Sequence, residues 1–339
     1  MKYYVWMMAI CLSITSFIGC KKGETIAPGD KPAKSVVAVV NGKPLLFGEM
    51  SSCADGYLKY AMTVEHLAFS SNMLGQAKEH FRKTAINMFV YRTVMLDEAT
   101  RLKIVIGEQE RTLGLQQLAF ALAKKNSNTN AFFNQGPQPP EVMKRDFEDS
   151  LIIEKLLNHE VQRKIRIDDK AVEAVAAQIA VSNELRRTNL QTVRAQILNG
   201  ASFEDVAKKI SACSSAKMGG DLGEFTRGKM DKTFEEVAFR VKVGELSPVF
   251  ETKQGIHLLK VVAHKKAQPA KNGVPALPET VRASHILIPR LSDDRTKIAT
   301  MIYKAQYQQE SRKLFEDLKA KSTIECKLFP EMTFTGNGY

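Results

Sequence analysis

The spacing of apolar residues changes several times along this chain. Residues 36–48 (VVAVVNGKPLLFG) form two β-prone runs around Asn41-Gly42, a dipeptide that supplies the positive φ angles of a tight hairpin turn. Helical spacing follows: Ala77, Phe81, Ala85, Met88, Phe89, Thr93 and Leu96 fall on one stripe within residues 76–102. Residues 107–125 and 140–165 read the same way, separated by SNTNAFFNQGPQPP (127–140), a stretch rich in Asn, Gly and Pro that predicts a loop. Asp168 and Asp169 suit the N-cap of a further helix, and residues 170–200 are helical throughout. Near the other end, Ile298, Met301, Ile302, Ala305, Leu314, Phe315 and Leu318 make another stripe over 295–320. TIECKLF (323–329) then alternates as a short strand, and its natural partner is the N-terminal hairpin. The pattern predicts a mainly helical domain from 36–169 plus 295–339, interrupted by an insertion at 170–294.

A chain of 339 residues is long enough for two domains, each with its own core. The first twenty residues carry an export pattern: Lys2, an apolar stretch from Tyr3 to Ile18, then Gly19-Cys20-Lys21-Lys22. A signal peptide is expected over 1–19. Residues 20–35 contain KKGETIAPGDKPAKS (21–35), polar with Pro and Gly, and predict a tether. The net charge is +12, but Lys and Arg are mixed with Glu and Asp along helices, as on solvated faces. No zinc spacing, aromatic RNA-binding motif or basic arm points to nucleic acid. Of five cysteines, Cys11 leaves with the signal. Cys53 and Cys326 either pair or stay as two core thiols, and spacing does not choose between them.

The insertion holds the candidate chemistry. In SACSSAKMGGDLGEF (211–225), Gly219, Gly220 and Gly223 permit a tight turn and a close backbone approach. The spacing matches neither phosphate-binding glycine motif, and no strand stands just before it. A turn, a helix from about Lys232, a short strand, a turn at Gly255 and a β-branched strand follow. The block from Phe203 to Val262 resembles the parvulin family of peptidyl-prolyl isomerases. It does so through Ser211 to Lys217, Gly219-Gly220-Asp221-Leu222-Gly223, Arg227-Gly228-Lys229-Met230, Phe234-Glu235 and Gly255-Ile256-His257. The hairpin, helices and closing strand around it resemble the chaperone domain of SurA-type and PrsA-type foldases. Phe17-Ile18-Gly19-Cys20 resembles a bacterial lipobox, with Phe where Leu is usual, which implies lipidation of Cys20. Together these imply an α+β protein, an FKBP-like antiparallel sheet with helices inserted in a SurA-like domain. They also imply a lipid-anchored protein of the bacterial cell envelope, acting on unfolded exported polypeptides that contain X-Pro bonds.

One departure from the family pattern matters. Parvulins begin with a strand bearing a histidine, in a motif like A-S-H-I-L. Here nothing of the kind precedes Phe203; it comes afterwards, as Ala283-Ser284-His285-Ile286-Leu287, beyond a Pro- and Lys-rich linker (265–280). A circular permutation explains this, with the His285 strand placed beside the His257 strand. The rival reading, a second truncated domain from 281, lacks a second Gly-Gly-Asp-Leu-Gly.

The resemblance implies an apolar cup for proline from Leu222, Met230 and Phe234, with Phe225 close by. It also implies a hydrogen-bonded set of Cys213, His257, His285 and Thr252 beneath the twisting amide. Each residue has a plainer reading: the apolar ones as core, Cys213 as a small buried hydrophobe, the histidines as structural. Two histidines and a cysteine also suggest zinc, but without any finger spacing. A Cys–His nucleophilic pair lacks a nameable oxyanion donor. No cofactor or metal is expected. The competing function is a holdase that binds unfolded chains with little or no isomerase activity.

Overall fold

The computed structural model describes residues 31–64, 66–270 and 275–335. The signal peptide expected at 1–19, Cys20 and the tether as far as Asp30 lie outside the described residues. The described residues divide into two compact units, one of those up to Arg166 together with those from Tyr303 onward, and the other of Ile167–Ile302.

The first unit opens with β1 (Val36–Val40) and β2 (Lys43–Leu46), antiparallel about the Asn41-Gly42 turn. Both turn residues have positive φ, 49° and 79°, which Asn and Gly tolerate best. Four helices of some length follow, α1 (Phe47–Thr63), α2 (Ser71–Arg101), α3 (Glu108–Ala123) and, after the short α4 (Thr129–Asn134), α5 (Pro140–Val161). The helix α4 sits inside the stretch expected to be loop. Asn128 caps it, its side chain accepting the Ala131 N–H at 2.9 Å, and Phe132 is buried against Leu118, Leu122, Met143 and Phe147. An Asn read as a turn former is here an N-cap, since both uses rest on the same side-chain acceptor.

The second unit begins with α6 (Asp169–Leu198), capped by Asp168, whose side chain accepts the Ala171 N–H at 2.7 Å. Next come α7 (Phe203–Ile210), β3 (Asp221–Thr226), α8 (Lys232–Ala238), β4 (Phe250–Thr252), β5 (Gly255–Lys265) and β6 (Thr280–Pro289). Their sheet has the order β3-β6-β5-β4, with every pair antiparallel. The last strand in sequence is thus a central one. Successive side chains point to opposite faces, and each face has its own cover. On one, Ile256, Leu258 and Ile286 pack with Leu190 of α6 and with Phe203 and Ala207 of α7. On the other, Leu259, Val261, Val281 and Ala283 pack with Phe234 and Ala238 of α8.

Strands β5 and β6 are joined across 266–279 as a long hairpin connection, narrowed by backbone pairing of Gln268 with Leu277. The exit of β6 is tied to α6. Asn183 donates to Leu291 O at 3.0 Å and accepts the Leu291 N–H at 2.9 Å, and Arg186 donates to Pro289 O at 2.8 Å.

The boundary between the units falls within α9 (Arg295–Lys319). Beyond it, β7 (Ile324–Cys326) pairs with β1, Ala38 opposite Cys326 and Val40 opposite Ile324, so both ends of the described chain meet in one three-stranded sheet. Asn41 also fixes β7, its side chain accepting the Thr323 N–H at 2.9 Å. The core beneath joins Val37 and Val40 to Ile86, Val90 and Met95 of α2, Leu156 of α5 and Phe315 of α9. Cys53 and Cys326 pack at its edge as free thiols. Among the described residues, no helix is long and apolar enough to cross a membrane.

Candidate functional site

The face of the second unit's sheet that α8 covers brings most of the expected site together. His257 on β5 is paired with Leu287, and His285 on β6 with Leu259, so the two histidines share a face but sit diagonally, two residues out of register. Their rings nevertheless stack, with centroids 5.7 Å apart and planes 24° apart. Diagonal neighbours on one face are about 7–8 Å apart at the backbone, within reach of ring side chains.

Both histidines are buried, at 1% and 6% exposure. Burial holds the His257 imidazole down to about 4, helped by the neighbouring His285, and burial alone takes His285 down to about 4. Both rings are therefore neutral at physiological pH. Thr252 on β4 contributes its hydroxyl, 2.8 Å from His257 Nε2. The expected hydrogen-bonded set goes no further: among the described residues, no protein group lies within hydrogen-bond reach of His257 Nδ1 or of either nitrogen of His285. Three polar atoms in an apolar surround without partners are a feature that folding alone does not reward.

Phe234 stands over the pair, 5.5 Å from each imidazole and edge-on to both. It is held from behind by Phe225 at 6.2 Å, itself packed on Phe239 at 6.0 Å. Phe225 and Phe234 are both buried in the same cluster, at 6% and 4% exposure. Leu222 and Met230 are half-buried at the edge of the same cluster. Sequence reasoning missed Phe250, which stacks on His257 at 5.2 Å and meets Phe234 at 5.8 Å. Its signal was an apolar residue two before Thr252, on a strand too short for alternation to be read.

The loops that present these groups are built by specific residues. Glu235 accepts the N–H groups of Lys229 and Met230 at 2.8 and 2.9 Å, which curls 228–230 over α8 and places Met230. Hydrogen bonds from the backbone of Gly228 and Met230 hold its carboxyl below the usual range. Gly220, at φ +86°, lies against β6, where a Cβ would overlap the carbonyl oxygen of His285, while the His285 N–H donates to Gly220 O at 2.9 Å. The glycine pair thus brings the 211–220 loop onto the histidine strand. The same loop is pinned at Leu287, which accepts from the Ala212 N–H at 2.8 Å and donates to Ser211 Oγ at 3.1 Å. Cys213 follows at the start of the turn Ser214–Met218. Burial pushes its thiol up, but hydrogen bonds from Ser215 and Ser214 outweigh that and set it below the ordinary value. Among the described residues, no group of His, Cys, Asp and Glu is arranged to hold a metal ion.

In sequence, the second unit matches a known family. Residues 165–263 match the model of the Rotamase family, the PPIC-type PPIase domain. The peptidyl-prolyl cis-trans isomerase Pin1 of Arabidopsis thaliana is 44% identical over 86 residues, which span 25% of this chain and 72% of that protein. The foldase protein PrsA of Caldanaerobacter subterraneus is 24% identical over 267 residues, 75% of this chain and 80% of that one. A solved SurA-like chaperone of Campylobacter jejuni aligns over 86% of this chain and 98% of its own, at 14% identity and a TM-score of 0.35. With the glycine loop, the apolar cup and the histidine pair on one sheet face, and a close relative matched over most of its length, the chain is a peptidyl-prolyl cis–trans isomerase and belongs to the parvulin, or PPIC-type, family.

Proposed function

We propose that the second unit seats the proline of an X-Pro bond against Phe234, Met230 and Leu222 and lowers the barrier to rotation there without covalent chemistry. Amide resonance makes that barrier about 18–20 kcal/mol, so uncatalysed exchange takes tens of seconds or more. Only interactions that favour the twisted amide over the planar one speed it. The observation that carries the reading is the stacked, neutral histidine pair, three of whose four nitrogens have no protein partner among the described residues, beside an apolar ring. A neutral imidazole has one donor and one acceptor nitrogen. It can therefore meet an amide nitrogen that gains a lone pair on twisting, at no cost of burying a charge. Thr252 orients His257, and Cys213, on the loop pinned to β6, is assigned a hydrogen-bonding rather than a covalent role.

In this reading the sheet is a permuted one, with β6 in the place of the family's first strand. The central position of β6 and the hairpin link to β5 support it, as does a family match that ends before β6 begins. NMR exchange on a short X-Pro peptide tests the function. The purified chain should raise the exchange rate, and His285→Ala should reduce that catalysis about tenfold, the equivalent of ~1.4 kcal/mol. No catalysis by the parent chain refutes isomerisation; full catalysis by a folded His285→Ala removes β6 from the site.

The likeness to PrsA, a foldase by name, supports action on polypeptides during folding, and supports placement in the bacterial cell envelope. The finer assignment is a lipid anchor on Cys20 followed by the 21–35 tether, with exported polypeptides as clients. Intact mass of the mature chain from membranes checks it: a chain starting at an acylated Cys20 is expected, and an unmodified residue 20 refutes the anchor.

A further inference from the structure

The first unit contains a cavity of about 540 Å³ that the isomerase chemistry does not use. Ligand pockets fall in the range of about 300–1,000 Å³. Its walls come from β2, α1, α2 and α5. Leu45, Met88, Phe89, Val142 and Ile153 make an apolar floor, and methionine adapts to varied shapes. One side is charged. Glu49, Asp146 and Asp149 line it together with Arg92 and Arg145, so carboxylates outnumber guanidinium groups by three to two.

The pairing within that side is uneven. Arg92 directs an N–H of its guanidinium to Asp146, which Arg145 also approaches at 3.7 Å. Glu49 accepts the Leu46 N–H at 3.1 Å, closing the start of α1. Asp149 meets Arg92 Nε only at 3.7 Å, too far for a hydrogen bond. Its carboxyl is lifted above the ordinary range, burial being the main cause, as for an acid short of a cation. This local excess of acid stands within a chain of net charge +12.

We propose that this cavity is a second peptide-binding site, which takes one large apolar side chain of an unfolded segment with a lysine or arginine beside it, the cation meeting Asp149. The apolar floor supplies affinity, and the carboxylate selects the neighbour. This site stands apart from the isomerase reading and does not rest on it.

Fluorescence anisotropy on the full chain tests the proposal with two labelled, proline-free peptides. Each carries a central Phe, flanked by Lys in one and by Glu in the other. The long-range field of a basic protein favours the Glu peptide, so the expected result runs against it: the Lys peptide binds about tenfold tighter, the worth of one charge-assisted hydrogen bond. Asp149→Asn should bring the two peptides within about twofold of each other. Val142→Trp, at a half-buried wall position, should fill the cavity and weaken the Lys peptide about tenfold. Both variants should keep parent isomerase activity, and Phe234→Ala should keep parent peptide binding. The proposal is overturned by equal or tighter binding of the Glu peptide, or by no binding of either. It is also overturned if both cavity variants, melting as the parent does, bind as the parent does. Self-association of the parent that Val142→Trp abolishes assigns the cavity to a second copy of the chain, and equally overturns it.

Discussion

Ile286→Pro is expected to unfold the second unit and abolish isomerase activity, while leaving the first unit folded. Ile286 is fully buried, in the strand that lies between β3 and β5. The N–H groups of His285 and Leu287 point toward the 211–220 loop, at Gly220 O and Ser211 Oγ. Along a strand the direction alternates, so the Ile286 N–H points to β5, opposite Leu258. Proline removes that donor from the middle of the ladder and deletes most of a side chain packed on Leu190, Phe203 and Ala207. A buried Ile truncated to a small residue costs about 2–5 kcal/mol, and proline inside regular structure adds about 3 kcal/mol or more. The sum, about 5–8 kcal/mol or more, reaches the lower part of the range of whole-domain stability, about 5–15 kcal/mol, so a unit of ordinary marginal stability unfolds. The separate core of the first unit contains none of these residues. Amide NMR spectra check this: loss of second-unit resonances with retention of the first-unit set is expected. Activity and a full spectrum in a folded Ile286→Pro variant would show that β6 is not integral to the sheet.

The second large effect is a loss of stability on acidification. His257 and His285 are neutral and buried in the folded state, both at about 4, against an ordinary value of 6.5. Between those limits the unfolded chain binds more protons than the folded one, so stability rises with pH. The contribution is complete above about pH 6.5, declines as pH falls through the window from 6.5 to 4, and is exhausted below it. For the pair it amounts to about 3 kcal/mol, roughly half the unscreened linkage value, since neighbouring water and mutual repulsion blunt it. Urea unfolding of the second unit at closely spaced pH values should show this slope. A variant with both histidines replaced by Gln should flatten it. A parent chain as stable at pH 4.5 as at pH 7 would mean that the rings are not held neutral.

Much of the site was legible as a string of local requirements. A tight glycine turn, an aromatic at the start of α8, a histidine after a glycine turn and a second histidine in a β-branched run all appear in sequence order, because each is a matter of backbone conformation or residue type. Asn41-Gly42 and Asp168 were readable for the same reason: a positive φ or an N-cap is settled within a few residues. The loop expected at 127–140 illustrates the limit. Asn128 was read as a turn former, and only burial of Phe132 against the two neighbouring helices α3 and α5 selects the helix it caps.

What sequence alone determined is the identity of the chemistry: which residue types, in which order, with two histidines, a thiol and an apolar cup in one segment. What only the tertiary structure decided is their mutual geometry. The diagonal offset of His257 and His285 depends on strand register, which the packing of two opposite sheet faces sets and no local signal records. The stacking of Phe250 on His257 follows from that register. So does the loss of hydrogen-bond partners around the histidines. The Asp149 cavity is tertiary in its own unit: its walls come from residues up to about a hundred positions apart, and charge excess at a cavity is a property of the space they enclose, which exists only once the chain has folded.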